Sequence, residues 1–548
     1  MSCGVIFATV FKYRMNNFNK WQPFIYGVLI AAGIAIGIWL KPAGNIRAII
    51  TGKNKFSEII SIINQVYVDT VNVDDLEERS INEILNQLDP HSVYIPAKDL
   101  KQSNEQLEGN FEGIGVEFNI LNDTIMVVSA LNGGPSQELG IHAGDRIIGV
   151  ESKSVANVKI TNDKVFKLLR GPKGTEVHVE IYRPDEHRKI NYTIKRGTIP
   201  IYSVDVSMML NNETGYIKIS RFAAKTHEEF LSAFNDLKKS GIKNLVVDLR
   251  GNPGGYLSAA TEMADEFIDD KKLLLYTEGR KQDRQEFKAE RDGCFEKGKL
   301  IVLIDEGSAS ASEILSGAIQ DWDRGLIIGR RSFGKGLVQE PFELRDGSVL
   351  RLTVSHYYTP SGRCIQKTYK NGYDDYEHEV YKRYEDGELQ DSTKIKSGDS
   401  TVYHTAKGRV VRAGGGITPD IFVPLDTTYS SVFLTQILSA NLVNQFAYFY
   451  TDKHRNELKK YTDVKMFNAT FHADLFEGFI MYVQTKNIKS TAADIARSKE
   501  YIQIHLKALV ARQLWRDLGY FTVISTTDKA IIKGLNALND YEKLVNKK

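Results

Sequence analysis

Lys299-Leu-Ile-Val-Leu-Ile304 is an unbroken apolar run, and across Asp-Glu-Gly307-Ser-Ala-Ser310 it leads into Ala311-Ser312-Glu313-Ile314-Leu-Ser-Gly-Ala-Ile319. A short apolar run without polar alternation reads as a strand buried on both faces, and the segment after the turn reads as a helix. The same order recurs on either side. Thr214-Gly-Tyr-Ile-Lys-Ile-Ser220 reads as a strand, and Thr226 to Ser240 as an amphipathic helix with Phe230, Phe234 and Leu237 on one face. Asn244-Leu-Val-Val-Asp-Leu249 is a second buried strand, Leu257 to Phe267 a helix, and Leu326-Ile-Ile328 a further strand. This alternation over residues 198–426 predicts an α/β core with parallel strands. Within it, residues 367–412 are polar and rich in Tyr, Asp and Lys, and they read as an insertion.

Outside the core the texture changes. Residues 100–197 contain the short strand patterns Val116-Glu-Phe118, Ile125-Met-Val-Val128, Arg146-Ile-Ile-Gly-Val150 and Val177-His-Val-Glu-Ile181. Gly133-Gly134-Pro135, Gly140 and Gly171-Pro-Lys-Gly174 punctuate them, and Asp163 to Leu169 reads as one helix, so this is a β-rich module. Residues 45–98 are mostly helical, and residues 427–548 read as helices without a strong chemical motif. Phe24 to Leu40 carries no charge, with Lys12, Arg14 and Lys20 before it and Lys41 after it. Trp21 and Trp39 mark its ends, where amphipathic rings suit an interface. The stretch is at the short end of a spanning helix and lacks a clear signal-peptidase site. We expect residues 1–20 in the cytoplasm, an uncleaved anchor at 21–41, and the rest of the chain outside the cytoplasm; a cleaved signal is the competing reading.

The 548 residues carry a formal net charge of +2 and 42% apolar residues, with charges interleaved, so nucleic acid is not expected as a partner. Of the three cysteines, Cys3 precedes the apolar segment, which leaves Cys294–Cys364 as the one bridge open to the rest of the chain. No His–Cys spacing suggests a metal, and no cofactor is expected.

Three motifs carry chemistry. Ser310 stands at a helix N-terminus, where free backbone N–H groups and the positive dipole end favour a developing oxyanion. A serine there is equally an ordinary N-cap, and Ser310 with Glu313 fits a capping box. Ser332-Phe-Gly334-Lys335-Gly336-Leu-Val-Gln339 follows another strand. Its lysine can act as a base if burial keeps it neutral, or it is a surface lysine in a tight turn. The segment nearly spells a P-loop, but Gly336 occupies the place of the Mg²⁺-binding Ser or Thr. Asp248-Leu-Arg250-Gly251-Asn252-Pro253-Gly254-Gly255-Tyr256 is a glycine loop that can offer half of an oxyanion hole, or is only a turn. His91 and His356 could serve a Ser/His/Asp triad, although a lone histidine is more often structural. Together the three motifs supply a nucleophile, a base and an oxyanion cradle, each at the C-terminal end of a strand.

These segments resemble those of the carboxyl-terminal processing peptidases, or tail-specific proteases, of the S41 serine peptidase family. The resemblance rests on Ser310-Ala-Ser-Glu313, Phe333-Gly-Lys335-Gly336, Leu88-Asp-Pro-His-Ser-Val-Tyr94, Tyr357-Tyr-Thr-Pro-Ser-Gly-Arg363 and Gly416-Ile-Thr-Pro-Asp420, and it covers roughly residues 55–425. It implies a crotonase-like α/β protease core with Ser310 as nucleophile, Lys335 as base and Gln339 as the residue that orients it. It also implies an oxyanion hole from Gly254 or Gly255 with the N–H of Ala311. The module at 100–197 then resembles a PDZ domain. Gly113, Ile114, Gly115 and Val116 match the loop that holds a peptide's terminal carboxylate, and Arg170 matches an arginine that in some relatives links the loaded domain to the protease.

The expected function is that of a serine endopeptidase that captures C-terminal tails of protein substrates and cleaves them by acyl transfer. Its expected location is the inner (cytoplasmic) membrane, single-pass, with the catalytic part in the periplasm if the cell is Gram-negative. The alternative is a catalytically silent PDZ-containing envelope scaffold. Residues 367–412 could gate access or bind a partner, and 427–548 could bind an adaptor, pair subunits in a homo-oligomer or cover the active site.

Overall fold

A computed structural model describes residues 26–32, 55–269, 271–396, 398 and 401–546. The chain divides into two compact units, Met1–Ile81 and Asn82–Lys548. In the first, residues 26–32 are helical and exposed, and the Lys55–Val66 helix buries only Ile60. The Val73–Asn86 helix opens here, with Asp74 and Asp75 in its first turn, where the helix dipole favours acids. The remainder of the expected anchor lies outside the described residues. Among those described, no helix is long and apolar enough to cross a membrane.

The second unit is built around a six-stranded sheet. Its order is Val204–Met209, Thr214–Ile219, Asn244–Asp248, Lys299–Ile304, Leu326–Gly329 and Ile421–Phe422. The first pair is antiparallel and the others are parallel. Alternation along the central strands sends side chains to opposite faces. Leu300, Val302 and Ile304 join the helices Thr226–Lys239, Leu257–Asp265 and Ala311–Asp321 in one core. Ile301 and Leu303 face a second core with Ile531, Ala537, Tyr541 and Val545, from the end of the chain. Both faces are therefore covered, which explains the continuous apolar runs.

A second, antiparallel sheet flanks this core. Val349–Tyr358 pairs with Val93–Ile95, Leu273–Glu278 and Leu337–Glu343, and Gln285–Lys288 lies at the edge. The expected α/β core with parallel strands is the six-stranded sheet, and the antiparallel sheet beside it, which was not expected, makes the fold mixed. Half-exposed strands such as Leu337–Glu343, interrupted by Pro341, lack the apolar continuity that betrays a buried strand.

The β-rich module forms its own sheet, ordered Val116–Leu121, Thr124–Ala130, Arg146–Val150, Glu176–Arg183, Arg188–Lys195. Its core holds Ile125, Val127, Ile147, Val177 and Ile181, capped by Val165 and Leu169 of the Asn162–Leu169 helix. Residues 427–545 are largely helical and centre on Ala492–Ile524, which is broken at Trp515 and Arg516. The region packs on the β-rich module: Tyr448 joins Leu121, Met126 and Val128 in an apolar cluster, and its hydroxyl accepts a hydrogen bond from Asn119 at 2.8 Å. Cys294 and Cys364 are not joined by a disulfide, so the one bridge left open by the sequence is not made.

Candidate active site

Ser310 sits where the Lys299–Ile304 strand turns into the Ala311–Asp321 helix. Its backbone lies at φ 53°, ψ −112°, a region that costs a residue with a side chain about 1–3 kcal/mol and persists only where surroundings enforce it. The enforcing contacts are visible. Asn252, fully buried, accepts hydrogen bonds on its carbonyl from the Ala309 N–H at 3.0 Å and the Ser312 hydroxyl at 2.9 Å. Ser308 donates to the Leu249 carbonyl at 2.9 Å. The glycine loop and the Ser310 turn are thereby stitched together.

The second tie is Glu313. Its carboxylate, fully buried, accepts the N–H of Ser310 (2.8 Å), Gly334 (2.7 Å) and Lys335 (2.8 Å) and the Ser332 hydroxyl (2.5 Å). The Glu313 half of the expected capping box forms, and the same carboxylate reaches the lysine-bearing loop. Burial pushes the Glu313 carboxyl above its ordinary value, and the four donors pull the other way.

Ser310, Lys335 and Gln339 line one cleft of about 520 Å³ together with Gly254, Gly255, Ile314, Arg351 and Tyr357. Among the described residues the Lys335 ammonium has no hydrogen-bond or ion-pair partner. Burial pushes its pKa down, and Arg351 pushes it the same way against the opposing charges of Glu313 and Asp89. An amine in that state can accept a proton from a neighbouring hydroxyl. Gln339 donates to the Thr353 hydroxyl at 3.3 Å, and Thr353 donates to Asp89 at 3.0 Å. The Leu88–Tyr94 motif therefore stands behind the lysine.

The two glycines of the loop differ in what their N–H groups meet. The Gly254 N–H is engaged with Asn252 Oδ1 at 2.9 Å. The N–H groups of Gly255 and Ala311 have no acceptor among the described residues, and these two remain for an oxyanion. Gly255 at φ +151° passes so close to Phe222 that a Cβ would lie 2.0 Å from its carbonyl oxygen. Only glycine fits there. No hydrogen bond joins either histidine to Ser310. His91 Nε2 lies 2.8 Å from the Tyr376 hydroxyl, and burial, then the Lys335 charge, push its pKa down to about 3. His356 lies 3.8 Å from Cys364 Sγ, and burial lowers its pKa as well.

In the β-rich module, Gly113 ends a strand and Val116 begins the next, Val116–Leu121, at the open edge of the sheet. The intervening Ile114 and Gly115 N–H groups have no acceptor among the described residues, so the turn can bind a carboxylate. Arg170 bonds Glu105 at 2.6 Å and lies over the rings of Phe111 and Phe166. Glu105 belongs to the Ala97–Glu108 helix, whose Leu100, Asn104 and Leu107 line the same cleft as Ser310 and Lys335.

Residues 213–374 match the model of Peptidase family S41, and residues 113–194 match that of the PDZ domain. The carboxy-terminal processing protease CtpA of Bacillus subtilis (strain 168) is 35% identical over 349 residues, covering 62% of this chain and 74% of that protein. The chain belongs to peptidase family S41. The carboxy-terminal-processing protease of Bartonella bacilliformis is 34% identical over 348 residues, covering 63% of this chain and 79% of that protein. The solved photosystem II D1 C-terminal processing protease is 24% identical, with a TM-score of 0.35, over 67% of this chain and 92% of that chain. This S41 protein is a serine-type, carboxy-terminal processing endopeptidase, with a PDZ domain that recognises C-terminal tails. Residues 433–517 match a family of unknown function, DUF8443. Three residues around the cleft carried a signal in the sequence but no part in the site: Glu313, read there only as a helix cap, Asn252, inside the glycine loop, and Asp89, in the Leu88–Tyr94 motif; Arg351 carried no signal beyond its charge.

Proposed function

We propose that Ser310 is the nucleophile and Lys335 its general base, in an enzyme held at the inner membrane by residues 21–41 with its catalytic part outside the cytoplasm. The observation that carries this reading is that one buried carboxylate, Glu313, accepts the N–H of both Ser310 and Lys335 and holds them on one cleft. The substrate's terminal carboxylate meets the N–H groups of the Gly113–Val116 turn, and its tail adds as a strand beside Val116–Leu121. Arg170, through Glu105, connects that event to the helix lining the cleft. Neutral Lys335, oriented by Gln339, takes the Ser310 proton while Oγ attacks the scissile carbonyl carbon. The carbonyl oxygen becomes the oxyanion, held by the Gly255 and Ala311 N–H groups. The ammonium then returns its proton to the departing amine. Water, deprotonated by Lys335, releases the acyl group.

The test is cleavage of an unstructured reporter with an apolar C-terminal tail by the full chain, with products read by mass spectrometry and the enzyme recovered from the membrane pellet. Ser310→Ala and Lys335→Ala are each expected to lose more than about 10³-fold in rate. Because burial depresses the Lys335 pKa, the amine is active above that value and activity falls as the pH drops through it. Cleavage that survives in Ser310→Ala, or a flat profile from acid to neutral pH, overturns the assignment.

A further inference from the structure

Residues 375–412 lie beyond the stretch matched to the S41 model. The sequence casts 367–412 as a polar gate or docking segment, yet part of it is buried behind the lysine loop. The Glu379–Glu385 helix carries Arg383, which is 3% exposed. Its Nη1 donates to the Ser332 carbonyl at 2.8 Å, and its Nη2 to the Phe333 carbonyl at 3.0 Å. Its Nε donates to Glu379 at 2.6 Å, and Glu379 also receives Lys367 at 3.3 Å. Beside it, Tyr376 packs edge-on against Phe333, with ring centroids 5.7 Å apart.

The loop is thus held from two sides by opposite charges. Glu313 takes the N–H groups of Gly334 and Lys335, and Arg383 takes the carbonyls of Ser332 and Phe333. A guanidinium has the rigid fork to bridge two adjacent carbonyls, whereas an ammonium is a point charge. The lysine side chain hangs from this loop, so the loop's position decides where Nζ sits and how well water is excluded from it. A displacement of about 1 Å at a reacting group can cost about 10²-fold in rate.

We propose that Arg383, oriented by Glu379, is a positioning residue for Lys335, and that the 373–385 segment is an internal brace of the catalytic loop. The inference rests on Lys335 being the base. Arg383→Met keeps bulk and removes the fork. It is expected to lower kcat about 30- to 100-fold with KM changed less than threefold, and to move the acid limb of the kcat profile to higher pH as water reaches the amine. Arg383→Lys is expected to recover a part of the loss. Glu379→Gln, at a partly exposed position, is expected to lower kcat about 3- to 10-fold with the same upward move of the limb, and it decides the matter if Arg383→Met does not fold. The proposal is overturned if the folded variants keep kcat within twofold, if KM rises in proportion to the loss, or if the acid limb stays in place. Activity that persists in Lys335→Ala overturns instead the assignment of the base.

Discussion

Glu313 concentrates the site's electrostatics in one side chain. Four donors from the Ser310 turn and the lysine-bearing loop converge on its fully buried carboxylate. In Glu313→Gln the amide offers one oxygen and one NH₂ group, so at least one backbone N–H faces another donor. Leaving buried donors unpaired costs about 1–3 kcal/mol each. We expect Glu313→Gln to lose about 2–4 kcal/mol of stability, read from denaturant unfolding, and about 100-fold in kcat through misplacement of the two loops. A variant that unfolds at the wild-type midpoint would mean that the carboxylate charge is not what binds the loops. At this scale the sequence was informative about residue type and silent about direction. Ser310, Lys335 and the glycine pair stand out by their spacing. That Gly255 rather than Gly254 keeps a free N–H depends on one side-chain bond from Asn252, which no pattern encodes.

Among elements, those with a single apolar face or a continuous apolar run were legible, and those buried through ion pairs were not. The strand Lys299–Ile304 and the helix Thr226–Lys239 follow from their periodicity. The segment around Tyr376 and Arg383 reads as solvated because its composition is polar, and most of it is exposed, but Tyr376 and Arg383 are buried, with Arg383 paired to Glu379 and bonded to the lysine-loop carbonyls. The Ala492–Ile524 helix hides a comparable feature. At its break, Arg516 adopts φ 52°, ψ −142° and donates to the Ala130 carbonyl at 2.6 Å and to Asn132. Arg512 pairs with Glu117 at 3.1 Å. Glu117, Asn119 and Leu121 alternate with Val116, Phe118 and Ile120, so the helical region grips one face of the Val116–Leu121 strand while the other packs into the PDZ core. Arg516→Ala and Arg516→Gly both remove the latch, but only glycine relieves the backbone. The glycine variant should be more stable than the alanine variant by about 1 kcal/mol, and both should raise amide hydrogen exchange across residues 116–134. Equal stability of the two would show that the break carries no strain.

Across the whole molecule, the C-terminal helices tie PDZ domain and protease into one unit. They reach the PDZ sheet through Tyr448 and Arg512, and the root of the glycine loop through Asp528, which accepts from Arg250 at 2.8 Å. They also cover the second face of the central sheet, where Tyr216, Val246, Ile301, Leu303 and Ile328 meet Ile531, Ala537 and Tyr541. Exposing a buried side chain of this kind costs about 1.5–3 kcal/mol. Five such residues on the sheet alone therefore match the roughly 5–15 kcal/mol that holds a whole domain together. A chain ending before Val432 retains every residue proposed for catalysis, yet it opens that face to water. We expect it to be recovered in inclusion bodies or as aggregate, and Asp528→Ala, which leaves the apolar cover in place, to remain soluble with lowered turnover. A truncated chain that stays monomeric and cleaves the tailed reporter at the wild-type rate would show that the helices are an appendage. The shared apolar face argues instead that they are the second layer of the protease core.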